Sequence, residues 1–99
     1  MAVRQLPAVC PSCQHTLKVG RLGCPGCGAA VEGDFSLPIL ARLDAEDQRF
    51  VVNFLRSNGS LKELARLYGL SYPTVRNRLD ALMEKVKVLE AQVTEDKEN

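Results

Sequence analysis

Residues 10–27 read CPSCQHTLKVGRLGCPGC and hold all four cysteines of the chain. The cysteines form two matched pairs, Cys10 with Cys13 and Cys24 with Cys27, and ten residues separate the pairs. Two thiolates three positions apart can reach one tetrahedral ion if the chain between them turns tightly, and a proline follows the first cysteine of each pair. Four thiolates leave no open coordination position. We therefore predict that these four cysteines form a structural zinc site.

Other uses of the cysteines stay open. A rubredoxin-like iron centre has similar pairs, although the intervening loop here is short and the region has few aromatic residues. Disulfides or a redox role would require an oxidising compartment, and the first eight residues lack the apolar stretch of a secretory signal. His15 is interpreted as a neighbour of a complete ligand set rather than as a fifth ligand. We therefore expect reduced thiols and a cytoplasmic protein.

The composition excludes some classes and leaves others open. The 99 residues include 13 Lys and Arg against 12 Asp and Glu, a net charge of +1, which supports nucleic-acid binding only weakly. No run of 18 apolar residues occurs, so no membrane span or membrane partner is expected. With one histidine and no nucleophile–base constellation, the chain is predicted not to be an enzyme.

The N-terminal third has the pattern of a zinc ribbon, predicted to span residues 1–34. Short strands are expected at residues 16–19 and 29–32, with the glycines at 20 and 23 outside them. Residues 35–43 form an apolar connector, in which Pro38 opens a short helical turn. Because its apolar side chains would otherwise be exposed to water, the connector is predicted to dock the ribbon against the helical part.

The remainder predicts a helix-turn-helix with an extended last helix at residues 44–92, followed by a disordered acidic tail at 93–99. Helix starts are indicated by capping residues at Asp44, Ser60 and Ser71, and Gly69 supplies the turn. Ala65 is small where two helices would cross, and Val75 would return to the same core. The expected fold is therefore small α+β: a zinc ribbon with a short β-hairpin, then an all-α helix-turn-helix.

In a helix-turn-helix, the exposed start of the second of its two helices faces the major groove of double-stranded DNA. Arginine can pair with guanine in a fork, and asparagine with adenine. The candidate DNA contacts are Tyr72, Thr74, Arg76, Asn77 and Arg78 on the recognition helix, with Lys62 and Ser71 directed at phosphates. The alternative is that these polar residues simply form a solvated face, or that the unit docks on a protein.

The last helix also carries an apolar seam with the spacing of a coiled coil. Beyond Val75 and Leu79, the seam continues through Leu82, Val86, Leu89 and Val93. These four residues are the predicted contacts of a homodimer, with Lys85 and Glu90 as flanking charges. Fewer than three heptads leave the alternative that the seam packs inside its own chain.

The motifs together resemble those of an uncharacterised prokaryotic family catalogued as a domain of unknown function. The resemblance covers roughly residues 8–85 and rests on CPSC, CPGCG, EGDF, the 37–43 connector and the string SYPTVRNRL at 71–79. It implies a zinc ribbon joined to a helix-turn-helix and a regulatory role, with no established activity. Thr74, Val75 and Leu79 are also similar to the helix-turn-helix pattern of response regulators and sigma factors. Arg78 departs from the phage-repressor pattern, which has an apolar residue there.

Two functions follow as hypotheses. The first is a small zinc-containing DNA-binding transcriptional regulator that uses helix 72–92 as its recognition helix. The second is a protein-interaction adaptor that docks on RNA polymerase, a sigma factor or another regulator, for which the nearly balanced charge is better suited.

Overall fold

The computed structural model describes residues 6–98, with side chains described through Val93. The chain divides between Leu43 and Asp44 into two compact units. The first unit is a two-stranded antiparallel hairpin followed by a 3-10 turn, and the second consists of three α-helices. The predicted small α+β architecture is confirmed.

The hairpin of the first unit pairs β1 (Lys18–Gly23) with β2 (Ala30–Ser36). Both strands begin later and extend further than predicted, and the glycines at 20 and 23 lie inside β1 rather than outside it. The pairing register shifts between Val19 and Arg21, so that Gly33 and Asp34 lie opposite the single residue Gly20. A bulge of this kind accommodates glycine within a strand, which explains why the glycine-bounded prediction was too short.

The segment after the hairpin contains a 3-10 turn at Ile39–Arg42, which Pro38 precedes as predicted. Arg42 is 8% exposed, and its Nε donates a hydrogen bond to the carbonyl oxygen of Leu37 at 2.9 Å. Leu37 and Leu43 are both buried. The burial of these two leucines agrees with an apolar connector, while its docking against the helices stays a prediction.

The helices begin at the predicted capping residues. In α1 (Ala45–Arg56) the carboxylate of Asp44 accepts a hydrogen bond from the Asp47 amide at 2.8 Å. In α2 (Leu61–Tyr68) the Ser60 hydroxyl accepts from the Glu63 amide at 3.2 Å. Each bond satisfies an amide that has no partner inside its helix, and so fixes where that helix starts.

The turn between α2 and α3 (Tyr72–Glu98) is set by Gly69, which has φ 66°. The amide of Leu70 bonds to the Ala65 carbonyl at 3.0 Å, and that of Gly69 to the Arg66 carbonyl at 3.2 Å. This pair of bonds ends an α-helix through a left-handed residue, for which glycine is the least strained choice. Side chains from all three helices form the buried core, namely Phe50, Leu64, Ala65, Val75 and Leu82.

The third helix is longer than predicted. It continues through Glu98, six residues past the predicted end at 92 and over most of the stretch predicted to be a disordered acidic tail; residue 99 lies outside the described residues. Glu and Lys have good helix propensity, and elongation of an existing helix is far easier than nucleation of a new one. Despite this length, none of the helices described between residues 6 and 98 is apolar enough over a sufficient span to cross a membrane.

Candidate metal centre and nucleic-acid interface

The two cysteine pairs lie in turns with the same hydrogen-bond frame. The amide of Cys10 bonds to the carbonyl of His15 at 2.8 Å, and the amide of Gln14 bonds to the carbonyl of Cys10 at 3.0 Å. In the second turn, the Cys24 amide bonds to the Ala29 carbonyl at 2.7 Å and the Gly28 amide to the Cys24 carbonyl at 2.9 Å. Each turn therefore brings its own two cysteines close together, as the C-x2-C spacing predicts.

Backbone amides in these turns point at the first sulfur of each pair. The pKa of Cys10 is lowered chiefly by the amide of Cys13, with a further contribution from that of Ser12, which lies 3.4 Å from the Cys10 sulfur. The pKa of Cys24 is lowered in the same way by the amides of Cys27 and Gly26. Donors aimed at sulfur stabilise thiolate, the form that binds metal.

The two pairs do not form one cluster. Across residues 6–93, where side chains are described, no group of three or more Cys, His, Asp or Glu is close enough to hold a metal ion. Each turn therefore fits two corners of a tetrahedral thiolate site, and the binding of one ion by all four cysteines stays a prediction. Among the same described residues, His15 forms no metal-holding group with either cysteine pair.

The start of α3 exposes most of the predicted reading residues. Tyr72 is 51% exposed, and Thr74 and Asn77 are also exposed. The Arg76 side chain is 53% exposed and lies 3.4 Å from the carboxylate of Asp80, one turn along the helix. This part of α3 therefore presents a hydroxyl, an amide and a guanidinium to solvent, which are the groups that read base edges.

Arg78 differs from the other predicted reading residues. Its guanidinium lies over the Phe50 ring at 4.8 Å and over the Tyr68 ring at 5.8 Å from their centroids. These two rings stack at 5.8 Å, and the Tyr68 hydroxyl accepts a hydrogen bond from Asn53 at 2.9 Å. Arg78 is half-buried and joins α3 to α1 and α2 through a cation–π contact.

A signal for this role of Arg78 was present in the sequence. Arg78 lies three residues after Val75 and four before Leu82, which are both buried. On a helix, positions with that spacing share a face. Its DNA contact stays a prediction, but the position now has a structural role that sequence reasoning missed.

The two predicted phosphate contacts lie at helix starts. Lys62 is exposed in the first turn of α2. The Ser71 hydroxyl lies 2.7 Å from that of Thr74 and accepts from the Thr74 amide at 3.4 Å. Ser71 therefore serves α3 as the predicted capping residue, with its side chain still exposed.

The predicted dimer residues divide between the core and the surface. Leu82 is only 6% exposed and belongs to the core of its own chain, whereas Val86, Leu89 and Val93 are half-buried. Leu82 lies at the same heptad position as Val75, and both side chains are buried in the core of their own chain. Lys85, predicted to meet a partner, is paired within the chain to Asp47 and, at 3.9 Å, to Asp44.

The Lys85 pairing was not predictable from heptad spacing. The hydrogen bond that Lys85 donates to Asp47 raises the pKa of the lysine, aided by the charge of Asp44 and opposed by partial burial of the amine. The lysine thereby ties α3 to the first turn of α1, 38 residues away. The described partners of Lys85 thus lie in its own chain.

Comparison with known families matches both units of the chain. A family model described as the zinc ribbon of DUF2089 matches residues 10–41. A second, described as the helix-turn-helix of the same domain of unknown function, matches residues 43–89. Searches of curated proteins and of solved structures returned no match to this chain. A zinc ribbon followed directly by a helix-turn-helix, over most of its length, places this chain in the DUF2089 family.

Proposed function

We propose that this protein is a small zinc-containing DNA-binding regulator of transcription that reads double-stranded DNA with the start of α3. The observation that carries the proposal is the left-handed turn at Gly69, followed by a helix whose first two turns expose Tyr72, Thr74, Arg76 and Asn77. In a helix-turn-helix, this end of the second helix enters the major groove. A family match to a helix-turn-helix supports the same assignment.

Electrostatic support for DNA binding comes from a few local groups and not from the net charge of the chain. The net charge of +1 supplies little general attraction to DNA. Lys62 and the exposed Ser71 stand at the starts of α2 and α3, where backbone amides and helix dipoles favour phosphate. Binding would therefore rest on a few well-placed contacts and would show a modest salt dependence.

The zinc ion has a scaffolding role in this proposal. Four thiolates close the coordination shell, so the ion would supply no water or substrate position and would hold the two cysteine turns together. Cys10, Cys13, Cys24 and Cys27 are the proposed ligands, and the paired turns and the zinc-ribbon family support them. Reduced thiols and DNA as partner suit the cytoplasm, and we assign the protein no catalytic step.

Enrichment from fragments of the source genome tests the DNA proposal. The full zinc-loaded chain is mixed with pooled fragments over a series of salt concentrations, and bound fragments are sequenced. One sequence should be enriched, and Arg76→Ala should weaken its binding by about 1–3 kcal/mol with relaxed specificity at one base position. Arg49→Ala, which removes an exposed arginine of α1, is the matched control and should bind as the wild type does.

Arg78→Ala separates reading from folding. Because the Arg78 guanidinium lies over Phe50 and Tyr68, its loss should lower thermal stability, whereas Arg76→Ala should not. No enrichment of any duplex, or binding indifferent to Arg76, would reject the DNA proposal.

A second candidate function is supported by exposed apolar side chains on the helical unit. Val52 and Leu55 of α1 are 53% and 67% exposed, and Leu67 of α2 is 59% exposed. Such residues, with a nearly balanced charge, suit an adaptor that docks on RNA polymerase, a sigma factor or another regulator. A stoichiometric protein partner that is recovered by the wild type and lost with Leu55→Asp, in the absence of nucleic acid, would favour this function.

A further inference from the structure

An apolar groove runs between α1 and α3 on the helical unit. It has a volume of about 350 Å³. Val51 of α1 forms one side, and Leu79, Met83 and Val86 of α3 form the other, with the buried Leu82 at the base. Met83 is 47% exposed at its centre, while Lys87 and Glu90 border the C-terminal end. An apolar surface with a charged border is typical of a protein–protein contact.

The charges beside this groove have an order that selects one kind of partner. Arg76, Asp80, Met83, Lys87 and Glu90 follow each other at spacings of 4, 3, 4 and 3 residues, so they form one stripe along α3. The stripe reads positive, negative, apolar, positive, negative. Turned end to end about Met83, the same stripe presents the opposite charge at each position.

We infer that this groove binds the same groove of a second copy, with the two α3 helices antiparallel and a two-fold axis at Met83. The axis sets Arg76 of one copy at the level of Glu90 of the second copy, and Asp80 within one residue, about 1.5 Å, of the level of Lys87 of the second copy. Each pair occurs twice, as the self-complementarity of a two-fold contact requires. A parallel arrangement would place like charges together at every position.

The charged groups of the stripe already form short-range pairs within each helix. Asp80 lies 3.4 Å from Arg76, and Lys87 lies 3.1 Å from Glu84. The side chains of Asp80 and Lys87 are 51% and 69% exposed, so both can extend toward a second copy. In the dimer these intrahelical pairs become networks that span the two helices.

This arrangement differs from the coiled coil that heptad spacing predicts. The seam through Leu82 is buried in the chain's own core, and Lys85 is paired to Asp47. The face left for a partner contains the exposed Met83 beside Leu79 and Val86 of the seam, with Leu82 buried at its base. The sequence therefore indicated association through α3, and the inferred contact is centred on Met83 rather than on Leu82.

The arrangement also fits the proposed function, although the dimer does not depend on DNA binding. Tyr72 is eleven residues from Met83, so the two α3 starts would be about 33 Å apart along the helices at 1.5 Å per residue. Half-sites in successive major grooves are about 34 Å apart. The second copy would thus place two reading ends one helical turn apart, with Arg76 shared between the DNA and Glu90 of the second copy.

Variants with exchanged charges test the inference. Their association is measured by sedimentation velocity of the full zinc-loaded chain over a wide range of concentrations. The wild type should show a monomer–dimer equilibrium. Lys87→Asp, which sets a new carboxylate against Asp80 of the second copy, should weaken association by about tenfold, and Asp80→Lys by a similar factor. Arg49→Asp makes the same charge change on an exposed position of α1 and should leave association unchanged.

Recovery of association by a double variant identifies the antiparallel pairing. The double variant Asp80→Lys with Lys87→Asp should recover wild-type association, because the exchanged charges again meet in opposite pairs. Circular dichroism should show the same helical content for every variant. A wild type that stays monomeric, single variants that associate normally, or a double variant that fails to recover would each overturn the inference.

An outcome that favours the predicted coiled coil is also distinguishable. Dissociation by Leu89→Asp combined with no effect of Lys87→Asp would assign the contact to the heptad seam and reject the groove. The sedimentation measurements contain no DNA. Their failure would therefore leave the DNA-binding proposal standing, and a failure of DNA binding would leave the dimer standing.

Discussion

The two units of this chain are ordered by different means. In the helical unit, large side chains such as Phe50, Leu64 and Val75 are at most 1% exposed. In the hairpin, every residue of β2 is exposed, and the cross-strand pairs Lys18–Asp34 and Arg21–Glu32 lie on the surface at 3.6 and 3.8 Å. Exposed ion pairs add little stability, whereas burial of large apolar groups adds much.

This difference explains why the cysteines belong to the first unit. A hairpin that buries so little apolar surface requires another source of stability, and the two cysteine turns that precede and follow β1 in sequence are suited to supply it through a metal. The helical unit requires no such help. With the proposed zinc ion, one chain would combine a unit ordered by a metal with a unit ordered by its core.

Removal of the metal should have the largest effect. It should unfold the first unit and leave the helical unit folded. Addition of a chelator to the zinc-loaded chain should abolish the dispersed amide signals of residues 10–36 in a two-dimensional NMR spectrum, while the signals of α1 and α2 persist. Structural zinc contributes roughly 10 kcal/mol or more to folding of such a unit, far beyond what the exposed hairpin can replace.

Cys24→Ser should reproduce the effect of the chelator. Ser12→Ala is its control, because the Ser12 contact to the Cys10 sulfur comes from the backbone amide, which alanine retains. If the hairpin signals survived chelation, or if the helices unfolded with it, the comparison between the units would be wrong.

Replacement of one leucine by alanine in each unit should lower the free energy of unfolding by unequal amounts. Leu64 is 0% exposed and Leu22 is 55% exposed. Leu64→Ala should lower the free energy of unfolding of the helical unit by about 3 kcal/mol, whereas Leu22→Ala should change stability by less than about 0.5 kcal/mol. Urea denaturation followed by circular dichroism and NMR measures both, and equal costs would contradict the assignment of the core.

Replacement of one glycine in each unit should change stability by smaller amounts, which also differ between the two units. Gly69 has φ 66°, so Gly69→Ala should destabilise the helical unit by about 1 kcal/mol. At Gly20 the backbone is not left-handed, and an added Cβ would meet no atom within 4 Å. Gly20→Ala should therefore be nearly neutral, and thermal unfolding of the two variants would reveal the difference.

The smallest predicted effect concerns pH. The pKa of Lys85 is raised in the folded chain, so its pairing with Asp47 stabilises the fold below the usual lysine pKa of about 10.4. This contribution, about 0.5 kcal/mol for a half-exposed pair, should be lost as the pH rises through the raised pKa. The stability difference between wild type and Lys85→Gln, measured by urea denaturation at several pH values, should shrink over that range.

Local chemistry made much of the fold predictable. Asp44, Ser60 and Gly69 act within four residues of their own positions, so their roles as caps and turn could be inferred from the neighbouring sequence. The paired cysteine turns are local for the same reason. In contrast, the bulge in the hairpin depends on which residues lie opposite each other across the strands, a property that the spacing of glycines does not encode.

The internal contacts that sequence analysis missed on α3 have a common physical cause. Arg78, Leu82 and Lys85 were each assigned to an external partner, yet each has an internal role. A heptad pattern tells which residues share a helix face but not whether that face meets another helix of the same chain. Contacts between residues as distant as Lys85 and Asp47 depend on the tertiary fold, so only the structure could assign them.

The two cysteine turns have one difference that bears on how the first unit assembles. The residue after each second cysteine has positive φ, 68° at Gln14 and 78° at Gly28. Glycine adopts that conformation without penalty, while a residue with a side chain loses about 1 kcal/mol there. In the unliganded chain we therefore expect the Cys24 turn to be populated more often than the Cys10 turn. The first turn would then close on a metal already held by the second, and assembly of the ribbon would proceed from its middle toward its N-terminus.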